Sequence, residues 1–206
     1  MKVATFWRGG TERIGFVVGK EMIDPLAALP PFSIEREHFV SMLAFICAGK
    51  TARTIAERIV ATAPKEARLP LASVRLAAPL RAATMLCSGS NYRDHNAEKE
   101  NTPISGKEPE FFVKTSDCVI GHDEKIIHDK VLTNKLDCET ELAIVIGKEG
   151  RHIPKERALE HVFGYTIVND VTARDRQVRR TPEGFTWYEL GRGKLFETSA
   201  PTGPWI

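Results

Sequence analysis

The amino-acid sequence predicts a mixed β with α fold of the α+β class, in which a small N-terminal region precedes a larger, strand-rich one. Three stretches carry that prediction. Leu136 to Gly147 holds Thr140, Ile144, Val145 and Ile146 and closes on a glycine, a composition that fits a pleated, buried surface better than a helix. Gly164 to Asp170 is a second run of the same character. Between Ser33 and Gly49, by contrast, Phe39, Met42, Leu43 and Ile46 fall at i, i+3, i+4 and i+7, the spacing of one helical face.

Taken in order, residues 2–7 and 14–19 read as a hairpin turning at Gly9-Gly10, with Val3, Phe6, Phe16 and Val17 for its packing. After Pro30-Pro31, Ser33 can cap a helix that Gly49 ends, and a second helix from Thr51 to Thr62 is stopped by Pro64. This part shows no chemistry, and residues 1–75 are expected to form a small α+β domain ahead of a larger one at 80–206. Thr84 to Cys87 opens the larger part as a strand, Ser88-Gly89-Ser90 turns it into a polar segment, and Phe111 to Lys114 is a further strand. Pro154 begins a helix with Leu159 and Phe163 on its apolar stripe, which His161 and Gly164 close.

Composition narrows the partners. A net charge of +2, from 29 basic and 27 acidic residues interspersed along the chain, offers neither a nucleic-acid stripe nor a membrane-binding patch. No basic leader with an apolar core and no long apolar run is present, so no membrane partner is expected and a cytoplasmic location is. Cys47, Cys87, Cys118 and Cys138 are scattered without a Cys-x-x-Cys pair and read as reduced, mostly buried thiols. His122, His128 and His152 lack ligand spacing and read as exposed loop residues.

Chemistry concentrates in two stretches. Side chains two apart on a strand share a face about 7 Å apart, so Glu139 and Glu141 point together, and since both strand faces are largely apolar the pair is expected to be buried. Buried like charges either take up protons or share a cation, and an all-oxygen set favours a hard one; glutamates that merely reach solvent at a strand end are the bland alternative. Asp170 adds a third carboxylate at the end of the second run, followed by Arg174 and Gln177, three apart on one helical turn. His95 and Glu98 are likewise three apart, so the carboxylate can orient the imidazole.

The motifs Asp-x-Glu-x-Glu-Leu-x-x-Val-Ile-Gly at 137–147, Gly-Tyr-Thr-x-x-Asn-Asp-x-Thr-Ala-Arg-Asp-x-Gln at 164–177 and Gly-x-Asn-Tyr-x-x-His-x-x-Glu at 89–98 resemble the fumarylacetoacetate hydrolase family, in the family's order. Phe-x-Lys at 112–114 and the run from Lys194 to Pro204 extend the resemblance over residues 80–206. It implies a β-roll or barrel and a divalent ion, Mg²⁺ or else Mn²⁺ or Ca²⁺, held by Glu139, Glu141 and Asp170. It further implies a catalytic Lys194, a His95–Glu98 pair that moves a proton or activates water, and Lys114, Arg174 and Gln177 at the substrate. The reaction it implies is C–C hydrolysis, decarboxylation or isomerisation of a 2-oxo acid or acylpyruvate-like diketone through a metal-bound enolate, in a homodimer. A 2-oxo-alkenoate hydratase, or a catalytically silent metal-binding relative, is the alternative. Cys138, His128-Asp129 and Glu197 depart from the usual family pattern without touching the carboxylates. The family also continues with further strands beyond Gly203-Pro204, so an incomplete roll is expected here, with an open sheet edge near the site.

Overall fold

In the computed structural model, residues 1–89, 91–97 and 108–206 are described, without the side chain of His95. The N-terminal strands β1 (Lys2–Arg8) and β2 (Thr11–Val18) pair as the expected hairpin, with Val3 opposite Phe16. Strand β3 (Glu21–Ile23) extends it, and after α1 (Pro25–Ala28) comes α2 (Met42–Thr62). The helix start differs from the expected one. Ser33 caps only a 3-10 turn over Ile34–Phe39, and it is Ser41 whose hydroxyl accepts the Ala44 N–H at the start of α2. Gly49 breaks the helix from within by its left-handed φ of 56°, which a residue without Cβ adopts freely.

Strands β4 (Arg68–Pro70) and β5 (Leu76–Ala77) complete a five-stranded sheet in the order β4-β3-β2-β1-β5. One face packs Val3, Ile14 and Phe16 on Phe39, Phe45, Ile46 and Ile59 of the helical layer. The same core takes in Val145, Phe163 and Ile206, so the N-terminal sheet and the strand-rich part share an apolar interior. Each large apolar side chain buried there contributes roughly 1.5–3 kcal/mol.

The strand-rich part begins with β6 (Thr84–Gly89), followed by α3 (Arg93–Ala97) and by β7 (Glu110–Thr115), which pairs with β6. Strand β8 (Val119–Ile120), the short β9 (Leu136–Asp137), β10 (Thr140–Ile146) and β11 (Val162–Asn169) follow, then β12 (Thr172–Ala173), a hairpin of β13 (Val178–Arg180) and β14 (Thr186–Tyr188), α4 (Leu190–Lys194) and β15 (Ala200–Gly203). A four-stranded sheet runs β10-β11-β15-β8, and β12 pairs with β9.

Three expectations need correction. The segment after Pro154 is a 3-10 helix over Lys155–His161, and Gly164 lies inside β11, where a Cβ would stand 2.7 Å from Ile206 Cγ2. The strand expected over 136–147 is interrupted at Cys138-Glu139. Its two faces are also unequal: Val145 is buried, whereas Leu142, Ile144 and Ile146 are 63%, 56% and 63% exposed, continuous with Tyr165 and Ile167 on β11. Alternation settles which residues share a face, and what covers that face depends on the rest of the chain. Cys47 and Cys138 are exposed, Cys87 and Cys118 buried, and none is paired. His122, His128 and His152 are exposed, as expected.

Candidate active site

The pairing of β10 with β11 creates the carboxylate cluster. Glu141 sits opposite Val168, and one step further the backbone N–H of Asp170 donates to Glu139 O at 2.8 Å, while Asn169 Oδ1 accepts the Glu139 N–H at 3.1 Å. The three side chains therefore converge, each offering an oxygen within 4.8 Å of the others, with Asp170 buried and the glutamates half-buried. They border a cavity of about 290 Å³. Ser88, Gly89, Asn91, Tyr92, Tyr188 and Leu190 line it, and Phe112, Arg174, Gln177 and Lys194 complete the lining.

Cations surround the cluster. Lys194, brought in by α4, is almost wholly buried, and its ammonium donates to Glu139 Oε2 at 2.8 Å, to Thr172 Oγ1 at 2.7 Å and to Asp170 Oδ2. Arg174 donates through Nε to Asp137 Oδ2 at 2.9 Å, pairs through Nη2 with Glu139 Oε1, and reaches Gln177 Oε1 at 3.5 Å. Gln177 is buried at the end of the 3-10 turn Arg174–Arg176. Gly193 lets α4 come this close: a Cβ there would lie 2.4 Å from Gln177 Cγ and 2.8 Å from Ala173 O.

Lys114 is placed differently from the expected substrate contact. It is fully buried beneath the cluster, away from the cavity lining, and its ammonium donates to Ser199 O at 2.9 Å, Ser199 Oγ at 3.0 Å and the carbonyls of Val171 and Lys194. Asp170 Oδ1 lies 3.0 Å from it as an ion pair but receives no well-aligned hydrogen bond. Burial lowers the Lys114 pKa, and the adjacent Asp170 opposes that shift. The backbone of α3, which carries His95, follows directly on the lining residues Asn91 and Tyr92; the His95 side chain and Glu98 lie outside the described residues.

Electrostatics separates the two glutamates. Desolvation pushes Glu141 up to about 7, with the charges of Asp170 and Glu139 adding to the effect. Burial acts the same way on Glu139, but the Lys194 hydrogen bond and the Lys194 and Arg174 charges outweigh it and hold that carboxyl below the usual range. The residues fit a hard divalent cation. All donors are oxygens, Asp170 Oδ1 receives no well-aligned hydrogen bond among the described residues, and Glu141, raised by burial and its anionic neighbours, gains from an added positive charge.

A mixed α/β fold gathers an acidic triad, a buried lysine and an arginine around one cavity, and the triad could hold a divalent metal. The sequence matches the profile "Fumarylacetoacetate (FAA) hydrolase C-terminal" over residues 84–206, and the chain belongs to that family. Oxaloacetate tautomerase YisK of Bacillus subtilis is 42% identical over 136 residues, covering 65% of this chain and 43% of the relative. The structure of fumarylacetoacetate hydrolase from Exiguobacterium antarcticum superposes with a TM-score of 0.74 at 34% identity, over 100% of this chain and 66% of that one. Maleylpyruvate hydrolase from Sphingobium sp. SYK-6, in complex with manganese(II) and pyruvate, gives a TM-score of 0.71 at 26% identity with the same coverage. The chain thus spans about two thirds of these solved structures and less than half of the tautomerase.

Several residues of the site carried no role in the sequence. Thr172, Ser199 and Gly193 act through contacts between distant segments; Thr172 stands in the motif at 164–177, and no spacing rule reveals the other two. Asp137 and Tyr92 stand inside the recognised motifs, which was the only signal pointing to them.

Proposed function

We propose that the protein is a divalent-metal-dependent enzyme acting on C–C bonds of 2-oxo acids or acylpyruvate-like diketones, by hydrolysis, decarboxylation or isomerisation through an enolate. The observation that carries this proposal is the convergence of Glu139, Glu141 and Asp170 on one cavity beside the fixed ammonium of Lys194. The names of relatives support it, since an oxaloacetate tautomerase and a maleylpyruvate hydrolase both act on 2-oxo acids.

Glu139, Glu141 and Asp170 would hold the ion, Mg²⁺ or Mn²⁺, which when bound supplies Lewis acidity toward a 2-oxo carbonyl. The chain's own groups do the rest. Lys194, held by three acceptors, presents positive charge to the substrate oxygen on which negative charge develops, and its position is set before the reaction begins. Arg174 fixes Glu139 and Asp137 and, with Gln177, shapes the floor on which the substrate carboxylate rests. His95, with Glu98 as its orienting carboxylate, carries the proton to or from the substrate carbon, or activates water where a bond is hydrolysed. Phe112, Tyr92, Tyr188 and Leu190 exclude solvent from that carbon. The protein is further proposed to work as a homodimer, with a second copy covering the exposed apolar face of β10 and β11; light scattering checks the mass.

The test is turnover of acetylpyruvate and oxaloacetate by the purified protein with Mg²⁺ or Mn²⁺. The expected result is metal-dependent consumption of at least one of them, reduced at least 100-fold in His95→Ala with metal affinity unchanged. Absence of turnover with either compound, or equal rates with chelator present, would contradict the proposal.

A further inference from the structure

We propose that Tyr92 is a positioning residue that ties α3 to the strand bearing Glu141, an inference that rests on the functional reading above. Strand β10 is the edge of its sheet. Its outward backbone groups need partners, and for the exposed amide of Leu142 that partner is either water or a side chain of the protein. The amide of Leu142, the residue directly after Glu141, donates to Tyr92 Oη at 3.1 Å. On its other side Tyr92 accepts the Asn96 N–H on its backbone carbonyl at 3.1 Å, the bond that closes the turn entering α3. One residue therefore bonds by its side chain to the carboxylate strand and by its backbone to the helix carrying His95. The ring between the two bonds forms part of the cavity wall.

The geometry has a consequence for catalysis. A proton-transfer group on α3 is useful only at a fixed distance from a substrate held over Glu139, Glu141 and Asp170, and a small displacement lowers the rate without changing what binds. The Tyr92 hydroxyl meets the carboxylate strand at the backbone amide of Leu142 and is not among the oxygens of the convergent triad. Its removal should therefore act on the rate alone.

The experiment compares Tyr92→Phe, which keeps the ring, with wild type and with Tyr165→Phe, which removes a hydroxyl from the outer face of β11. Kinetics with acetylpyruvate and oxaloacetate in the presence of Mn²⁺, Mn²⁺ calorimetry and amide hydrogen exchange are measured on the full chain. Tyr92→Phe is expected to lower kcat about five- to tenfold, the scale of one hydrogen bond. KM and Mn²⁺ affinity should stay within twofold, and exchange at the Leu142 amide should accelerate about tenfold. Tyr165→Phe should change none of these. Unchanged exchange at Leu142 overturns the tether, and faster exchange with unchanged kcat overturns the positioning role. A parallel loss of Mn²⁺ affinity overturns it too, by making Tyr92 part of the metal site. A wild type inactive on both compounds sinks the functional reading and the role together, whereas an active wild type with an equally active Tyr92→Phe sinks the role alone.

Discussion

Two glutamates two residues apart behave differently because their neighbours differ. Glu139 has both oxygens engaged by Arg174 and Lys194, whereas Glu141 faces Asp170 and Glu139 with no cation in contact among the described residues. A glutamate raised from 4.5 to about 7 binds more protons in the folded than in the unfolded state between those values, so stability from this group falls as pH rises from 4.5 to 7. Metal-free protein is therefore expected to show a thermal midpoint that drops across this window. In Glu141→Gln the drop should be smaller, and Mn²⁺ should suppress it in the wild type by replacing the proton with an ion. Differential scanning fluorimetry at pH 5 to 7.5, with and without chelator, measures all three. Lys114 gives a second expectation at this scale. Since it is fully buried against Asp170 and the carbonyls of Val171, Lys194 and Ser199, Lys114→Met leaves a buried carboxylate short of a partner and should cost about 3–5 kcal/mol in urea unfolding. A loss under 1 kcal/mol would show that the cage is incidental.

Among the elements, α4 shows how a short helix delivers one side chain. It spans only Leu190–Lys194, yet it places Lys194 among Glu139, Asp170 and Thr172 because Gly193 allows its backbone to lie against Gln177 and Ala173. Gly193→Ala must push either Gln177 or the helix outward. It is expected to destabilise by about 1–3 kcal/mol and to lower turnover far more than Mn²⁺ affinity, because the lysine moves while the carboxylates stay. Parallel kinetics and calorimetry distinguish the two effects. The sequence made the strands legible through β-branched composition, and the i, i+2 and i, i+3 spacings of Glu139, Glu141, Arg174 and Gln177 indicated which residues share a face or turn. The interruption at Cys138-Glu139 was not legible, since nothing local distinguishes it from continuous strand. The same limit applies to Lys114. Its partners Asp170, Lys194 and Ser199 come from segments far apart in the chain, and only the tertiary fold brings them beneath one ammonium.

For the molecule as a whole, the shared core of Val145, Phe163 and Ile206 with the N-terminal sheet buries part of one face of β10 and β11, and the other face is exposed in the single chain. Substituting Ile144 by lysine, at a position 56% exposed, is expected to change the stability of this chain by less than about 0.5 kcal/mol and to reduce its self-association in light scattering. Unchanged association would mean that a second copy does not cover this face. On the inner side the same strands carry Glu141 and lead into Asp170, so burial there gives the carboxylates a low-dielectric setting in which a divalent ion would be held strongly. Calorimetric titration of Mn²⁺ into wild type and into Asp170→Asn tests that coupling most directly. One equivalent of tightly bound Mn²⁺ in the wild type, weakened at least 100-fold in Asp170→Asn, is the predicted result. Equal affinity in the two proteins would contradict it.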